Sequence, residues 1–188
     1  MGRPRTYTRD EVLRKATDLF ARKGYEGAHL QELVDVTGLN RFSLYKEFGG
    51  KEGLFQAALE GYLGQLAALS AALQRDPAGL ANVRAFYAAL LAEDFPHGCL
   101  AVNTIREKHV LPAHVYATIE RFAAETERSL LRNLRGAEQR GELAPGTDAE
   151  GLAQFLTALN MGVMSYAIVA PDPACRARIY GVVESVLR

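Results

Sequence analysis

Residues 28–55 constrain the fold more than any other part of the chain, because they predict two short helices joined by a tight turn and followed closely by a third helix. Apolar residues recur at helical spacing on both sides of the turn. Gly38 allows the left-handed backbone that the turn requires, and Asn40 is a favourable N-cap for the helix that follows. This pattern is typical of a helix-turn-helix motif, whose second helix reads the major groove of DNA.

The charge distribution favours the same interpretation. The whole chain of 188 residues has a formal net charge of zero, so its overall balance indicates no nucleic-acid partner. Residues 1–51, however, hold ten Lys and Arg against seven Asp and Glu, whereas residues 52–188 hold twelve against fifteen. The basic excess therefore lies with the helix-turn-helix.

Composition predicts a soluble intracellular protein. Hydrophobic residues make up 48% of the chain, enough for a substantial core. The two cysteines, Cys99 and Cys175, have no CxxC spacing, which suits a reducing cytoplasm. The N-terminus has no apolar signal region, and no uninterrupted apolar run approaches the roughly 18 residues that a membrane span needs. We therefore expect a cytoplasmic location and no membrane partner.

Helical periodicity continues through nearly the whole chain. Thr8 and Glu11 predict a capping box at the first helix, which Gly24 should end. Beyond the helix-turn-helix, further helices are predicted at about 51–75, 79–93, 100–109, 112–140, 148–169 and 173–188. No strand pattern competes with them. We therefore expect an all-α fold of about nine helices, with a DNA-binding domain at residues 1–51 and a larger domain at residues 52–188.

The segment from Leu44 to Leu54 resembles the signature of the TetR family of bacterial transcriptional regulators. That signature has a Tyr, two variable residues, an aromatic residue, a two-residue turn and a Lys, and here these are Tyr45, Phe48, Gly49, Gly50 and Lys51. The resemblance is specific over residues 3–55 and looser over the rest. It implies a nine-helix fold, a homodimer, and a larger domain that both dimerises and binds a small ligand.

The second helix of the motif should place its first turn against base edges. Arg41 can reach guanine O6 and N7, Phe42 can meet a thymine methyl, and Ser43 can bond a base or a phosphate. The alternative for Phe42 is inward packing. The resemblance implies that Tyr45 and Lys51 contact phosphates, and Lys51 also lies at a helix N-terminus, which favours anions. The predicted DNA-contacting residues are Arg3, Arg5, His29, Asn40, Arg41, Phe42, Ser43, Tyr45, Lys46 and Lys51.

Two features near this motif leave alternatives open, and a third, His29, departs from the family pattern. Arg3, Arg5 and Arg9 form either a basic arm that enters the minor groove or a solvated tail. His29 stands where family members commonly carry a Thr or Ser that caps the helix and touches phosphate. Glu47 stands where a His is frequent, and we expect it to point away from DNA rather than to accept from a cytosine amino group.

The last two helices carry more apolar surface than a solvent-facing pair should, which predicts a four-helix interface between two chains. Burial within one chain is the alternative for about half of the positions. The candidate interface residues are Leu152, Phe155, Leu156, Leu159, Val163, Ile179, Val182, Val183 and Val186. Two reading heads related by a two-fold axis predict a pseudo-palindromic operator of double-stranded DNA.

A small, largely apolar effector is expected to bind among the helices of the larger domain. The candidate pocket residues are Tyr62, Leu66, Phe86, Tyr87, Leu90, Cys99, Asn103, Tyr116, Phe122, Asn160, Met164 and Tyr166. For each of them ordinary core packing is the alternative. Asn103 and Asn160 are the stronger candidates, because a buried amide needs a partner that a ligand can supply.

No cofactor or metal is expected. Cys99 is either a small core residue or a sensor thiol. The spacing of His97, Cys99, His109 and His114 matches no compact metal motif.

The sequence therefore predicts a homodimeric repressor that a small molecule releases from its operator by shifting the long helix from Lys51 to Arg75. One alternative is an architectural DNA-binding protein without a ligand. Another is an enzyme, but no phosphate-binding glycine loop, nucleophile elbow or metalloprotease helix occurs in the chain. A catalytic pair of Glu107 and His109 is conceivable, although surface charge explains these residues more simply.

Overall fold

The computed structural model describes residues 7–93, 95–170 and 172–187, and this part of the chain is almost entirely helical. Its nine α-helices are α1 (Arg9–Gly27), α2 (Leu30–Thr37), α3 (Arg41–Phe48), α4 (Lys51–Leu69), α5 (Leu80–Ala92), α6 (Leu100–Ile105), α7 (Ala113–Gln139), α8 (Ala149–Val169) and α9 (Pro173–Val186). A 3₁₀ turn (Ser70–Gln74) follows α4. The predicted all-α class and the number of helices are confirmed.

Three helix boundaries differ from the sequence prediction. Gly24 interrupts α1 with a left-handed φ of 74° and an extended ψ of 176°, but a last helical turn continues to Gly27. α4 ends at Leu69 rather than near Arg75, because the chain tightens into the 3₁₀ turn. α6 ends at Ile105, where a series of hydrogen-bonded turns replaces the helix.

The chain forms two compact units. Unit 1 comprises residues 1–64 and 99–118, and unit 2 comprises residues 65–98 and 119–188. These units do not follow the expected boundary at residue 51, because α6 packs against α1 and joins the helix-turn-helix. The functional division at residue 51 stays a prediction.

An aromatic cluster lies at the centre of unit 1. The rings of Phe20 and Phe55 meet edge to face with centroids 4.8 Å apart, and Tyr25 lies 5.0 Å from Phe55. Leu33 and Leu44, from the two helices of the motif, are completely buried. Burial of these apolar side chains fixes α2 and α3 against α1 and α4.

A buried polar centre organises unit 2. Asn133 of α7 is completely buried, and its Oδ1 accepts hydrogen bonds from Gly79 N at 3.0 Å and Asn82 Nδ2 at 2.9 Å. Its Nδ2 donates to the carbonyl oxygens of Leu73 and Ser129, both at 2.8 Å. One side chain therefore satisfies backbone groups at the end of the 3₁₀ turn, at the start of α5 and on α7.

α8 is apolar over a greater length than the sequence analysis expected of any segment of the chain. By length and composition it is apolar enough to cross a membrane, although only 22% of its most apolar window is buried inside the chain. Such a helix also arises where a soluble protein buries one face in its core and another against a partner. The exposed apolar residues of α8 are described with the dimer surface below.

Candidate nucleic-acid interface

The turn between α2 and α3 has the predicted geometry. Gly38 adopts φ 75° and ψ 4°, and its N–H donates to the Val34 carbonyl at 3.0 Å. Asn40 caps α3, because its Oδ1 accepts from Ser43 N at 2.8 Å. The predicted turn at Gly38 and the predicted N-cap at Asn40 are confirmed, and both act through neighbours within four residues. The DNA contact of Asn40 stays a prediction.

α3 presents one face to solvent that is rich in residues suited to DNA. Phe42 is 75% exposed and Tyr45 is 56% exposed. Arg41 and Lys46 are exposed beside them, and Ser43 is half-buried. Inward packing of Phe42 is therefore wrong, while Leu44 belongs to the core as expected. The exposed face combines two cations with two large ring surfaces.

Arg41 is placed by a residue of the preceding helix. Its Nη2 donates to Gln31 Oε1 on α2 at 3.2 Å, and Gln31 Nε2 in turn donates to Asp35 Oδ1 at 2.9 Å. This exposed chain of hydrogen bonds orients the guanidinium at the start of α3, where a reading helix meets base edges.

Glu47 is engaged with the N-terminal segment. The Tyr7 hydroxyl donates to Glu47 Oε1 at 2.9 Å, and the Arg9 guanidinium lies 4.8 Å from the centroid of the neighbouring Phe48 ring. This placement supports the expectation that Glu47 points away from DNA. Arg9 forms the first residue of α1 rather than part of a flexible arm. Arg3 and Arg5 lie outside the described residues.

His29 precedes α2 as its N-cap residue. Its backbone N–H donates to Glu32 Oε2 at 3.2 Å, and Lys23 forms an ion pair with the same carboxylate. This ion pair, together with the hydrogen bond from His29, lowers the pKa of Glu32. The hydrogen bond from the His29 backbone to the Glu32 carboxylate is one of the two bonds of a capping box, and it stabilises the start of α2.

Lys51 begins α4 and is turned towards the end of α1. Its Nζ lies 4.6 Å from the centroid of the Tyr25 ring and donates to the Glu26 carbonyl at 3.3 Å. Partial burial lowers the pKa of Lys51, and the nearby carboxylates of Glu107 and Glu26 oppose that shift. The expected phosphate contact of Lys51 stays a prediction.

The junction between α3 and α4 contains a residue that sequence reasoning missed. A Cβ atom at Gly53 would overlap the carbonyl oxygen of Phe48, the last residue of α3. The approach at Gly50 is looser, because the ring of Tyr45 lies 3.2 Å from where a Cβ would be. The sequence signal for this close approach was a glycine inside the first turn of a helix, where other residues are better helix formers.

The comparisons with known proteins agree with this geometry. Residues 12–58 match the family model described as bacterial regulatory proteins of the tetR family, and residues 79–182 match the tetracyclin repressor-like C-terminal domain. The chain is 33% identical to the HTH-type transcriptional repressor ComR of Escherichia coli strain K12, over 100% of this chain and 90% of the relative. The chain belongs to the TetR family.

Two further similarities extend over nearly the full chain. An uncharacterized HTH-type transcriptional regulator of Bacillus subtilis strain 168, YezE, is 29% identical over 92% of both chains. A cysteine mutant of the TetR-family regulator CifR, solved with a 26-base-pair operator duplex, is 33% identical with a TM-score of 0.76, covering 99% of this chain and 98% of that one. This TetR-family member is therefore a DNA-binding transcriptional regulator.

TetR-family regulators act as dimers and respond to small-molecule effectors.

The residues predicted to bind the effector are divided between the two units. In unit 2 the rings of Tyr87 on α5 and Tyr180 on α9 lie 4.8 Å apart, and the Tyr180 hydroxyl donates to Asn160 Oδ1 on α8 at 3.5 Å. Burial raises the pKa of Tyr180 to about 12 and also raises that of Tyr87. Sequence reasoning missed Tyr180.

Two polar atoms of this cluster are buried without a hydrogen-bond partner of ordinary geometry among the described residues. They are the Tyr87 hydroxyl and Asn160 Nδ2. The two side chains lie close enough for the Asn160 amide to oppose the rise in the pKa of Tyr87. An unsatisfied buried polar group costs free energy, and a ligand oxygen bound to these atoms would remove that cost. Asn160 therefore remains a good candidate, as the sequence suggested.

Several other pocket candidates have different roles. Asn103 already donates to the Ala21 carbonyl at 3.1 Å, which gives its amide a structural partner. Tyr166 is 49% exposed and lies on the outer face of α8. Tyr116 lies under the Lys108 ammonium at 4.4 Å. Core packing describes the remaining apolar candidates of unit 2, of which Phe122 is half-buried and Leu66, Phe86, Leu90 and Met164 are buried.

Cys99 is buried in unit 1 beside Tyr62. It is 3% exposed, and burial raises the pKa of its thiol. The Tyr62 hydroxyl is also buried, which raises its pKa. A thiol that is shielded and protonated is a poor nucleophile, so the structure favours the core role for Cys99 over the sensor role.

The predicted dimer residues separate into two sets. Leu156, Val163 and Val183 are buried within the chain and are not available to a partner, which corrects their assignment to the interface. The residues left at least partly exposed are Leu152, Phe155, Leu159, Ile179, Val182 and Val186. The core of the chain itself therefore buries three of these nine positions, fewer than the half that the sequence analysis allowed for.

Proposed function

We propose that this TetR-family regulator is a homodimeric repressor that binds a pseudo-palindromic operator and is released from it by a small molecule. The observation that carries the DNA-binding part is the solvent-facing side of α3, where Arg41, Phe42, Tyr45 and Lys46 are exposed on a helix whose opposite side is core. A helix presented in this way after a glycine turn is suited to the major groove.

Selection from a random DNA pool tests this proposal. The purified protein should enrich a pseudo-palindrome and bind it at least about a thousandfold more tightly than a scrambled duplex. The affinity of both duplexes should be measured over about 50 to 200 mM salt, because phosphate contacts make binding salt-dependent. Equal weak binding to both duplexes would instead favour the architectural alternative.

Arg41 and Lys46 should differ in what they contribute. Arg41→Ala is expected to cost about 1 to 3 kcal/mol of operator binding and to relax preference at one base position in each half-site, because the guanidinium is placed to reach a base edge. Lys46→Ala should weaken all duplexes alike and reduce the salt slope by about one per half-site. Repeating the selection with each variant separates these effects, and unchanged base preference in Arg41→Ala would contradict its reading role.

The effector is proposed to bind in unit 2 at the unsatisfied polar atoms of Tyr87 and Asn160. Both groups can donate a hydrogen bond, so a largely apolar molecule that carries an acceptor oxygen fits them best. Such a molecule can release the operator only as far as it prefers the conformation that does not bind DNA, typically by about 1 to 3 kcal/mol. A bound compound that leaves operator affinity unchanged is not an effector.

The dimer interface is proposed to consist of the outward faces of α8 and α9. On α8 the residues Leu152, Phe155, Leu159, Tyr166 and Val169 are spaced by three, four or seven positions and therefore form one stripe. This stripe, rather than a ligand pocket, accounts for the exposure of Tyr166. On α9, Ile179, Val182 and Val186 form a similar stripe, and joining two such pairs of helices would bury both.

A charge on the α9 stripe should separate the protomers. Val182→Glu places a carboxylate in the middle of the proposed interface, where its desolvation is unfavourable, and is expected to shift the protein towards the monomer. Ala177→Glu is the matched control, because Ala177 is exposed on the same helix but about 140° away from Val182. Light scattering after size-exclusion chromatography measures the mass of each variant. If Val182→Glu stays dimeric over the same range of protein concentration as the unaltered protein, this stripe is not the interface.

We further propose that the protein acts in the cytoplasm and has no catalytic activity. Glu107, which with His109 was the conceivable catalytic pair, uses both carboxylate oxygens to bind backbone amides of α1. Its contacts are therefore those of a structural group, which supports a regulator rather than an enzyme.

A further inference from the structure

Glu107 lies in the turns after α6, and its carboxylate is bound to the end of α1. Its Oε2 accepts from the backbone N–H of Tyr25 at 2.7 Å, and its Oε1 accepts from that of Glu26 at 2.9 Å. Both amides are released from the α1 ladder because Gly24 breaks the helix. The carboxylate therefore caps the last turn of α1, as the side chain of an N-cap residue would, but from 82 residues away along the chain.

The absence of a side chain at Gly24 leaves room for this carboxylate. Its φ of 74° is strained for any residue with a side chain, and a Cβ atom would lie 2.7 Å from Glu107 Oε1. A second bond, from Asn103 Nδ2 to the Ala21 carbonyl at 3.1 Å, ties the same segment to α1. The end of α1 is therefore held by one residue of α6, Asn103, and one residue of the turns that follow α6, Glu107.

That last turn of α1 holds Lys51 in turn. The Tyr25 ring lies beneath the Lys51 ammonium at 4.6 Å, and the Glu26 carbonyl accepts from it at 3.3 Å. These are the two residues whose amides Glu107 binds. A continuous set of contacts thus runs from Glu107 through Tyr25 and Glu26 to Lys51 at the start of α4.

We propose that Glu107 is a positioning residue for operator binding, which acts through Tyr25 and Glu26 to hold Lys51 for its contact with a DNA phosphate. The proposal rests on the phosphate contact proposed for Lys51. It assigns to Glu107 a favourable effect on DNA binding, although a carboxylate near the DNA backbone should by charge alone oppose it.

The sign of that effect provides the test. Glu107→Gln is expected to weaken operator binding at least about fivefold, because an amide offers one acceptor atom in place of two and lacks the charge that strengthens both bonds. Glu52→Gln is the matched control, since it removes the same charge one residue from Lys51, and it should bind the operator equally well or more tightly. Gly24→Ala should reproduce the loss, because its Cβ displaces the Glu107 carboxylate. The operator affinity of each variant is measured on the dimeric protein, after circular dichroism has shown that it is folded.

A double-mutant cycle with Lys51→Gln tests whether the effect of Glu107 on operator binding depends on Lys51. In the Lys51→Gln background, Glu107→Gln should change operator affinity less than about twofold, because the group that it positions is gone. The proposal is overturned if Glu107→Gln behaves like Glu52→Gln, or if its full effect persists without the Lys51 ammonium. If Lys51→Gln alone changes neither affinity nor salt slope, the proposed phosphate contact has failed instead, and Glu107 has no such contact to position.

Discussion

Replacing Gly53 with alanine should destabilise the DNA-binding head and abolish much of its operator affinity. The new Cβ would overlap the carbonyl oxygen of Phe48, a backbone atom that cannot rotate away, so α3 and α4 must separate. Overpacking of this kind costs about 1 to 3 kcal/mol. The same shift moves Tyr45 and Lys51, the two proposed phosphate contacts, and should lower operator affinity about tenfold or more.

Gly61→Ala is the matched control for this substitution. Gly61 lies on the exposed side of the same helix, and a Cβ there would have no neighbour within 4 Å. Alanine should therefore stabilise α4 by about 0.5 to 1 kcal/mol through its better helix propensity. Chemical denaturation and operator titration of both variants make the comparison. Equal stability of the two would show that the α3–α4 junction relaxes without cost.

Replacing Asn133 with leucine should be the most damaging change in unit 2. Leucine has a similar size but leaves the buried N–H of Gly79 without its acceptor, and Leu73 and Ser129 lose a donor to their carbonyl oxygens. Arg132 also donates to the Leu73 carbonyl, at 3.1 Å, which limits the loss there. An unsatisfied buried group costs about 1 to 3 kcal/mol, so we expect a total near 2 to 4 kcal/mol.

Gln74→Ala provides the comparison for Asn133→Leu. Gln74 Nε2 donates to Ser129 Oγ at 2.9 Å and joins the 3₁₀ turn to α7 as Asn133 does, but on the exposed surface. Its removal should change stability by no more than about 0.5 kcal/mol. The midpoint of urea denaturation, followed by circular dichroism, measures both. A shift for Asn133→Leu no larger than that for Gln74→Ala would mean that water, or a rearrangement of the chain, satisfies the polar groups that Asn133 otherwise binds.

The local features of the DNA-binding motif were predictable because their causes lie within a few residues. Gly38 makes its turn with Val34, and Asn40 caps α3 through Ser43. The burial of Leu44 follows from the helical spacing of apolar residues. These contacts depend on backbone geometry that is the same in any protein, so the sequence alone identifies them.

Sequence reasoning could not anticipate contacts between residues that are distant in the chain. Glu107 looked like a surface charge, yet it binds amides 82 and 81 positions earlier. Asn133 drew no attention on α7, although its partners at residues 73, 79 and 82 lie more than 50 positions earlier. Such pairings depend on how helices pack, which hydrophobic periodicity does not specify.

The sequence by itself determined an all-α chain of nine helices, its helix-turn-helix and the chemistry carried on α3, because helix formation and capping are local. Only the tertiary structure decided which apolar residues of α8 and α9 face the core, so that Val183 is buried and Val182 exposed. It also decided that Lys51 faces Tyr25 and that Tyr166 faces outward. Periodicity defines the faces of a helix, but only packing against other helices determines what covers each face.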